Sequence, residues 1–308
     1  MRISTNTAYA LMVLAVAMWA TSGPFAVLAI DEGADVMQIT TFAFLIGTLI
    51  MLPLIAAFDR KSLRIRKKDL LTFIVFGLIA GVFLNLCWFG AIDLTSVTIT
   101  IVLNYSYPSI VTVASFFLFS EKLTKQKLAA LPLTFIGCVL VAGGQDLEQG
   151  FSFNTYGVLL GLGSAVGTAV YYLWGKKFEE SYSSNTIILY MFLISTIVLV
   201  VMSNPFELAR TSLSSMAWMW IFQVAIWSGV VAFLASMFAL NHLEASKASI
   251  VASIEPIFAI SLAFLILAEQ VSTVQIVGVA LVVGGVFLLR AARRRTGEKA
   301  TGVVSGTI

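Results

Sequence analysis

One carboxylate lies in the middle of a hydrophobic stretch that is long enough to cross a membrane. Residues 245–269 read ASKASIVASIEPIFAISLAFLILAE, and Glu255 is followed directly by Pro256. A charge at mid-bilayer depth is costly, so such residues usually serve a function. The proline removes a backbone donor and frees a carbonyl one turn upstream, near Ala252. A bend beside a carboxylate favours a binding site or a proton relay, although a protonated structural glutamate bonded to a neighbouring helix would also fit.

A second copy of this stretch occurs upstream. Residues 97–121 read VTITIVLNYSYPSIVTVASFFLFSE and align with residues 245–269 at an offset of 148 positions without a gap. The aligned pairs are Pro108 with Pro256, Phe116 with Phe264, Glu121 with Glu269, Gly81 with Gly229 and Gly137 with Gly285. The two prolines are therefore predicted to be hinges at equivalent depths in two related halves.

The composition places these stretches in a membrane protein. Of the 308 residues 59% are hydrophobic and only 11% are charged, whereas a soluble domain carries about 25% charge. Apolar runs of spanning length recur along the chain. They predict an all-α protein with ten transmembrane helices, at residues 7–30, 36–58, 69–92, 95–119, 127–144, 155–175, 186–203, 214–240, 246–268 and 273–291.

The basic residues give the orientation of these spans. With the N-terminus in the cytoplasm, 18 of the 19 Lys and Arg residues fall on the inner side, Arg210 being the exception. Both termini are then cytoplasmic. Five spans in each half make the second half inverted, as in many secondary transporters. The predicted organisation is one repeat at 1–148, a second, inverted repeat at 149–292, and a cytoplasmic tail at 293–308.

Polar and aromatic side chains inside the spans are candidates for lining a cavity with Glu255. They are Asn104 and Tyr107 in the fourth span, Asn85 in the third, Gln223 and Trp227 in the eighth, and Tyr171 in the sixth. Tyr105 is expected to pack or to compete weakly for this role. The interfacial aromatic belt is the preferred explanation for Trp88, Trp220 and Tyr172. Glu121 and Glu269 end their helices and are expected to be structural or gating residues, each with a tertiary partner such as a backbone amide in the following turn.

At these positions the sequence resembles the drug/metabolite transporter superfamily of the EamA type. The residues that carry the resemblance are Pro108 with SFFLFSEKLT, Pro256 with LAFLILAEQVS, and Trp19 in AVAMWATSG. The second half departs from the pattern, with Gly167 where a tryptophan would match. The resemblance implies a transporter of small metabolites, lined mainly by the first, third and fourth spans of each half, and adds Trp19 to the candidate site.

The sequence therefore predicts a secondary active transporter in the cell (inner or plasma) membrane. We expect export of an amino-acid-like, amine-bearing or aromatic solute by alternating access, with proton coupling through Glu255 as one option. The alternative is an intramembrane enzyme or a receptor-type protein, but the single histidine, His242, is expected to lie in a loop, outside the spans. No catalytic residue, metal site or cofactor is expected, nor is a nucleic-acid partner. The expected partners are the substrate, protons and lipid, and the direction of transport and the oligomeric state stay open.

Overall fold

A backbone that crosses hydrocarbon must satisfy its own hydrogen bonds, and the apolar runs of this chain do so as helices. The structure is a computed structural model that describes residues 4–95, 97–143, 154–204, 206, 208, 210, 212–267 and 272–301. Every regular element in these ranges is helical. The main helices are α1 (Thr5–Asp31), α2 (Val36–Phe58), α3 (Lys67–Leu94), α4 (Val97–Asn104 and Tyr107–Phe119), α5 (Lys125–Gly143), α6 (Thr155–Phe178), α7 (Ser184–Met202), α8 (Ser215–His242), α9 (Ala245–Ala252 and Glu255–Leu267) and α10 (Thr273–Thr301).

Seven of the described helices are long and apolar enough to cross a membrane, by length and composition. They are α1, α2, α3, α4, α6, α7 and α8. The other three predicted spans, at 127–144, 246–268 and 273–291, are helical in their described parts as α5, α9 and α10. The predicted all-helical membrane fold is therefore confirmed at the level of seven spans.

Short polar residues in the loops start several of these helices. Asp35 caps α2 through a capping box with Gln38, and Ser183 caps α7. Asn154 and Ser214 cap α6 and α8 in the same way. A side-chain oxygen at this position satisfies one of the four free amides at a helix start.

Several features repeat at the offset of 148 residues that aligns the two sequence halves. Two helices contain a π-helical segment, Gly77–Phe83 in α3 and Val224–Val231 in α8, and these end 148 residues apart. The buried hydroxyls of Thr48 and Thr196, also 148 apart, are 2.8 Å from each other. α2 and α7 thus meet through equivalent residues.

Glycines allow α5 and α10 to pack closely. A Cβ on Gly137 would lie 2.8 Å from the Gly278 carbonyl oxygen, and one on Gly285 would lie 2.7 Å from Thr134 Cγ2. Small residues at such contacts let membrane helices approach each other. These two glycines are again an aligned pair.

An ion-pair cluster around the buried Lys127 joins three helix ends on the side of the basic loops. The Lys127 ammonium is only 2% exposed and lies 2.9 Å from both Glu121 Oε2 and Glu244 Oε2. Glu121 Oε1 accepts a hydrogen bond from the backbone amide of Ala245 at 3.0 Å, and Ser246 Oγ also donates to Glu121. The tertiary partner expected for Glu121 is present, but its backbone amide comes from the start of α9 and not from the turn that follows Glu121. Glu269 lies outside the described residues.

A half-buried carboxylate, Glu179, directly follows α6 on the same side. Ser184 Oγ donates to Glu179 Oε1 at 2.5 Å, while Oε2 has no hydrogen-bond partner in the described part of the chain. Burial raises the pKa of Glu179 from its usual value of 4.5 to about 7, although Ser184 and Lys176 act in the opposite direction. The sequence did not single out this residue, because its burial depends on the packing of the α6–α7 turn.

Glu179 predicts a pH dependence of stability. Between pH 4.5 and about 7 the folded protein holds a proton that the unfolded chain has released, so the free energy of unfolding falls as the pH rises. The fall is on the order of 3 kcal/mol. Glu179→Gln should remove this fall and raise the melting temperature near neutral pH, measured by thermal unfolding of the purified protein.

Glu180→Gln is the matched control, since the neighbouring Glu180 side chain is 57% exposed. It should keep the pH dependence of the wild type. An unchanged pH dependence in Glu179→Gln would show that this carboxylate ionises without cost in the folded protein.

Candidate functional site

A central cavity lies among helices of both halves. It encloses about 840 Å³ of space between the atoms, including its open mouth, which is sufficient for a small molecule. Nine of its twenty described lining residues are aromatic, and Glu255 is the one charged residue among these twenty. The cavity is therefore an aromatic enclosure around one carboxyl group.

Glu255 enters the cavity because α9 is broken immediately before it. The first part of α9 ends at Ala252 and the second part begins at Glu255, with Pro256 in its first turn. Glu255 is partly exposed, and its Oε2 accepts a hydrogen bond from Tyr105 Oη at 2.9 Å. The carboxyl group at this break is thus part of the cavity lining.

Two tyrosines of α4 support the broken α9 helix. Tyr105 Oη lies 3.1 Å from the Ala252 carbonyl oxygen, and Tyr107 Oη donates to the Ser249 carbonyl at 3.3 Å. The predicted carbonyl without a helical amide partner is therefore that of Ala252, and it accepts a hydrogen bond from a side chain of another helix instead. Tyr105, expected to pack or compete weakly, instead contacts Glu255 directly, while Tyr107 lines the cavity.

Asn104 and Asn85 present amides to the cavity from two different helices. Asn104 Nδ2 donates to Ser164 Oγ at 2.8 Å and to Thr168 Oγ1 at 3.2 Å, which ties α4 to α6. Asn85 Nδ2 donates to the Gly81 carbonyl of its own helix at 2.8 Å. Both side chains line the cavity and hold fixed orientations.

The aromatic wall is built by interlocked rings. α1 consists of two segments, Thr5–Trp19 and Ser22–Asp31, and Trp19 is the last residue of the first. Beside it, Ser228 Oγ of α8 donates to the Met18 carbonyl at 3.1 Å. Its ring meets Tyr171 edge-on, with centroids 6.2 Å apart, and Phe233 at 5.4 Å. Edge-to-face contacts of this kind fix ring orientation. Six of the predicted candidates thus line the cavity, namely Glu255, Asn104, Tyr107, Asn85, Tyr171 and Trp19.

The structure does not bring Gln223 and Trp227 to the cavity. Trp227 is 45% exposed on the outer surface of α8, and the cavity side of that helix carries Ser228 and Phe233 instead. For Trp227 the prediction assumed α-helical spacing, but the segment from Val224 is π-helical and winds more residues into each turn. Gln223 is the last residue of the α-helical segment before it and does not line the cavity. We therefore omit Gln223 and Trp227 from the candidate site.

Two aromatic residues that the sequence assigned to the interfacial belt lie in the cavity instead. Trp88 lines it from α3, and Tyr172, only 1% exposed, stacks on Tyr107 with ring centroids 5.5 Å apart. Trp220 packs against Phe25, with centroids 5.6 Å apart. Nearness to a span end was a poor guide for Trp88 and Tyr172, because it does not show whether a side chain faces the lipid or the interior of the bundle.

The cavity extends away from the basic loops. Thr40 near the start of α2, Trp88 near the end of α3 and Val224 in the first half of α8 all line it. These positions lie at the helix ends opposite the loop around residues 59–68. At the other end, the Lys127 ion-pair cluster packs the helix ends together.

Comparison with known proteins agrees with this architecture. The model of the EamA-like transporter family matches residues 6–143 and again residues 155–291. The chain belongs to the EamA-like transporter family. It is a multi-pass membrane transporter that acts on a small-molecule substrate.

Relatives of this family member include proteins named only as transporters. An uncharacterized transporter, YetK, of Bacillus subtilis is 26% identical over 256 residues, covering 80% of this chain and 75% of its own. An uncharacterized transporter of Archaeoglobus fulgidus is 25% identical over 267 residues, covering 86% and 91%. One solved structure, titled only "Crystal structure of protein", is 20% identical to this chain and superimposes on it with a TM-score of 0.79. The match covers 95% of this chain and 99% of that structure, so the two proteins share the fold.

A thiol placed in the cavity should be accessible to water. In a variant without Cys87 and Cys138, Ser22→Cys should react readily with a cationic, water-soluble methanethiosulfonate, since Ser22 lines the cavity. Labelling would be followed by mass spectrometry. Ala26→Cys, one turn away and fully buried, and Trp227→Cys, on the outer surface, should remain unlabelled. Equal labelling of all three would contradict the cavity as described.

Proposed function

We propose that this EamA-family protein is a secondary active transporter that works by alternating access around Glu255. The observation that carries the proposal is one carboxyl group, at a helix break, in an aromatic cavity bounded by helices of both halves. Membrane transporters commonly place substrate sites at discontinuous helices near the midplane. An intramembrane ionisable residue beside such a break is suited to bind a cation or a proton.

The proposed topology has ten spans in two inverted repeats, 1–148 and 149–292, with both termini and the tail at 293–308 in the cytoplasm. The repeated π segments and the Thr48–Thr196 contact support a related architecture of the two halves. The sorting of 18 of 19 basic residues to one side supports the orientation. Five spans per half would place equivalent loops on opposite sides of the membrane.

In this topology the cavity would extend towards the outside. The Lys127 cluster would lie at the cytoplasmic end, where it connects the ends of α4, α5 and α9. Opening to the cytoplasm would require these ends to separate. Breaking a buried ion pair exposes charges that must then be solvated, so the cluster is suited to act as an inner gate.

We propose an amine-bearing solute with an aromatic or apolar body as the cargo. The described lining offers one carboxyl group and nine aromatic rings, which attract a cation by charge and by cation–π contact. No described lining residue is Lys, Arg or His, so the carboxylate of an amino acid would find no basic partner there. A protonated Glu255 would bind a neutral aromatic solute less selectively. Exchange of a proton for the cation on Glu255 would drive export.

The inverted topology predicts the sides from which two equivalent loops are labelled. Lys61 and Arg210 are exposed, and Arg210 lies next to the position that is repeat-equivalent to Lys61. In a variant without native cysteines, Lys61→Cys should react with a membrane-impermeant maleimide from the cytoplasm and Arg210→Cys from outside. Spheroplasts and inside-out vesicles distinguish the two sides. Labelling of both residues from one side would contradict five spans per half.

Glu255→Gln tests the role of the carboxylate itself, because it keeps the shape and removes the charge. Uptake of benzylamine and of benzyltrimethylammonium into proteoliposomes, driven by a pH gradient, should fall about ten- to a hundredfold, as expected for losing an interaction with a charged group. The variant should fold, as judged by size-exclusion chromatography.

Glu180→Gln, which alters an exposed loop carboxylate, should transport like the wild type. If Glu255→Gln equals the wild type in rate, affinity and pH dependence, Glu255 is a structural residue. The proposed function would then have to rest on the amide and aromatic side chains alone.

A further inference from the structure

Tyr105 holds a position that no other described residue shares. It lies in the turn that interrupts α4, is 3% exposed, and points its hydroxyl at the interruption of α9. That oxygen lies 2.9 Å from Glu255 Oε2 and 3.1 Å from the Ala252 carbonyl oxygen. One side chain thus contacts both the ionisable group and the break beside it.

The hydroxyl has one proton for these two acceptors. A tyrosine hydroxyl donates a single hydrogen bond. The Ala252 carbonyl depends on it, because residue 256 is a proline and lacks the amide that would be the usual helical partner. An ionised Glu255 is also only an acceptor, whereas a protonated Glu255 can donate to Tyr105 Oη.

We infer that Tyr105 is a positioning residue that couples the charge of Glu255 to the stability of the α9 break. With Glu255 neutral, the carboxyl donates to Tyr105 and Tyr105 donates to the Ala252 carbonyl, so all three groups are satisfied. With Glu255 ionised, the tyrosine proton turns to the carboxylate and the Ala252 carbonyl loses its donor. This inference rests on the proposed role of Glu255 and assigns a route by which its charge changes the helix.

Among the described titratable groups around Glu255, Tyr105 is the one that hydrogen-bonds to its carboxyl group. The titratable groups that face Glu255 are Tyr105 and Tyr107 from α4, Tyr172 from α6 and Cys138 from α5. Tyr107 donates to the Ser249 carbonyl. It therefore supports the first part of α9 without sharing its proton with Glu255 in the described contacts.

A native thiol reports on the break. Cys138 is buried and its Sγ donates to the Ser253 carbonyl, within the interruption of α9, at 3.4 Å. When the break loosens, this thiol should become easier to reach. Cys87→Ser leaves Cys138 as the remaining cysteine of the chain.

The test measures labelling of Cys138 by N-ethylmaleimide in the Cys87→Ser protein between about pH 5 and about pH 9, a range that brackets carboxyl titration in proteins. Each rate is divided by that of the denatured protein at the same pH, which removes the intrinsic pH dependence of the thiol. The corrected rate should rise about two- to tenfold with pH, as expected from losing one hydrogen bond.

Four variants distinguish the coupling of the Glu255 charge to the α9 break from mere stabilisation of α9 by a tyrosine hydrogen bond. Tyr105→Phe should label fast at every pH, and Glu255→Gln slowly at every pH. Tyr107→Phe should label faster than the parent protein but keep its pH response. Pro256→Ala supplies the Ala252 carbonyl with a helical amide, and should therefore label slowly without a pH response even though Tyr105 is present.

A full pH response in folded Tyr105→Phe or in Pro256→Ala would overturn the inference, as would a parent protein without any response. Transport by Glu255→Gln is measured separately and decides the proposed function. If Glu255→Gln loses transport while Tyr105→Phe behaves like Tyr107→Phe, the transporter proposal stands and the coupling through Tyr105 fails.

Discussion

A carbonyl that loses its helical partner inside a membrane must find another donor, and the centre of this protein is arranged around one such carbonyl. Pro256 leaves the Ala252 oxygen without an amide, and Tyr105 of α4 supplies the hydrogen bond. This contact holds the two interrupted helices together. The same tyrosine also contacts Glu255, the first residue of the second part of α9, and so helps to position its carboxyl group beside the aromatic rings of the cavity.

The two ends of the bundle are stabilised by different physics. At the end with the basic loops, buried charges are paired through Lys127, which makes that contact strong while intact and costly to break halfway. Towards the other end, the cavity is bounded by aromatic rings and hydroxyls that can change partners at little cost. Such an asymmetry suits a molecule that is closed at one side and accessible at the other.

Local sequence signals predicted the features that depend on a single helix, and failed for features that depend on contacts between helices or on a change of helix type. Pro256, the free carbonyl and the 148-residue alignment were readable because proline geometry and period are local properties. Trp227 was misplaced because the π segment changes the face of α8 on which the residues after Gln223 lie. The role of Tyr105 and the burial of Glu179 depend on contacts between helices, which no periodicity reveals.

The Thr48–Thr196 contact has a further consequence if the halves are inverted as proposed. A pair formed by equivalent residues lies on the pseudo-twofold axis, so exchanging the conformations of the two halves returns the same pair. Such a contact favours neither of the two opposite-facing states and can stay intact while both interconvert. The Lys127 cluster differs, since the aligned position is Gln275, an uncharged residue. The Thr48–Thr196 contact would thus have the same energy in the outward-facing and inward-facing states. The Lys127 cluster, whose lysine has an uncharged counterpart in the other half, would determine which of the two states is more populated without substrate.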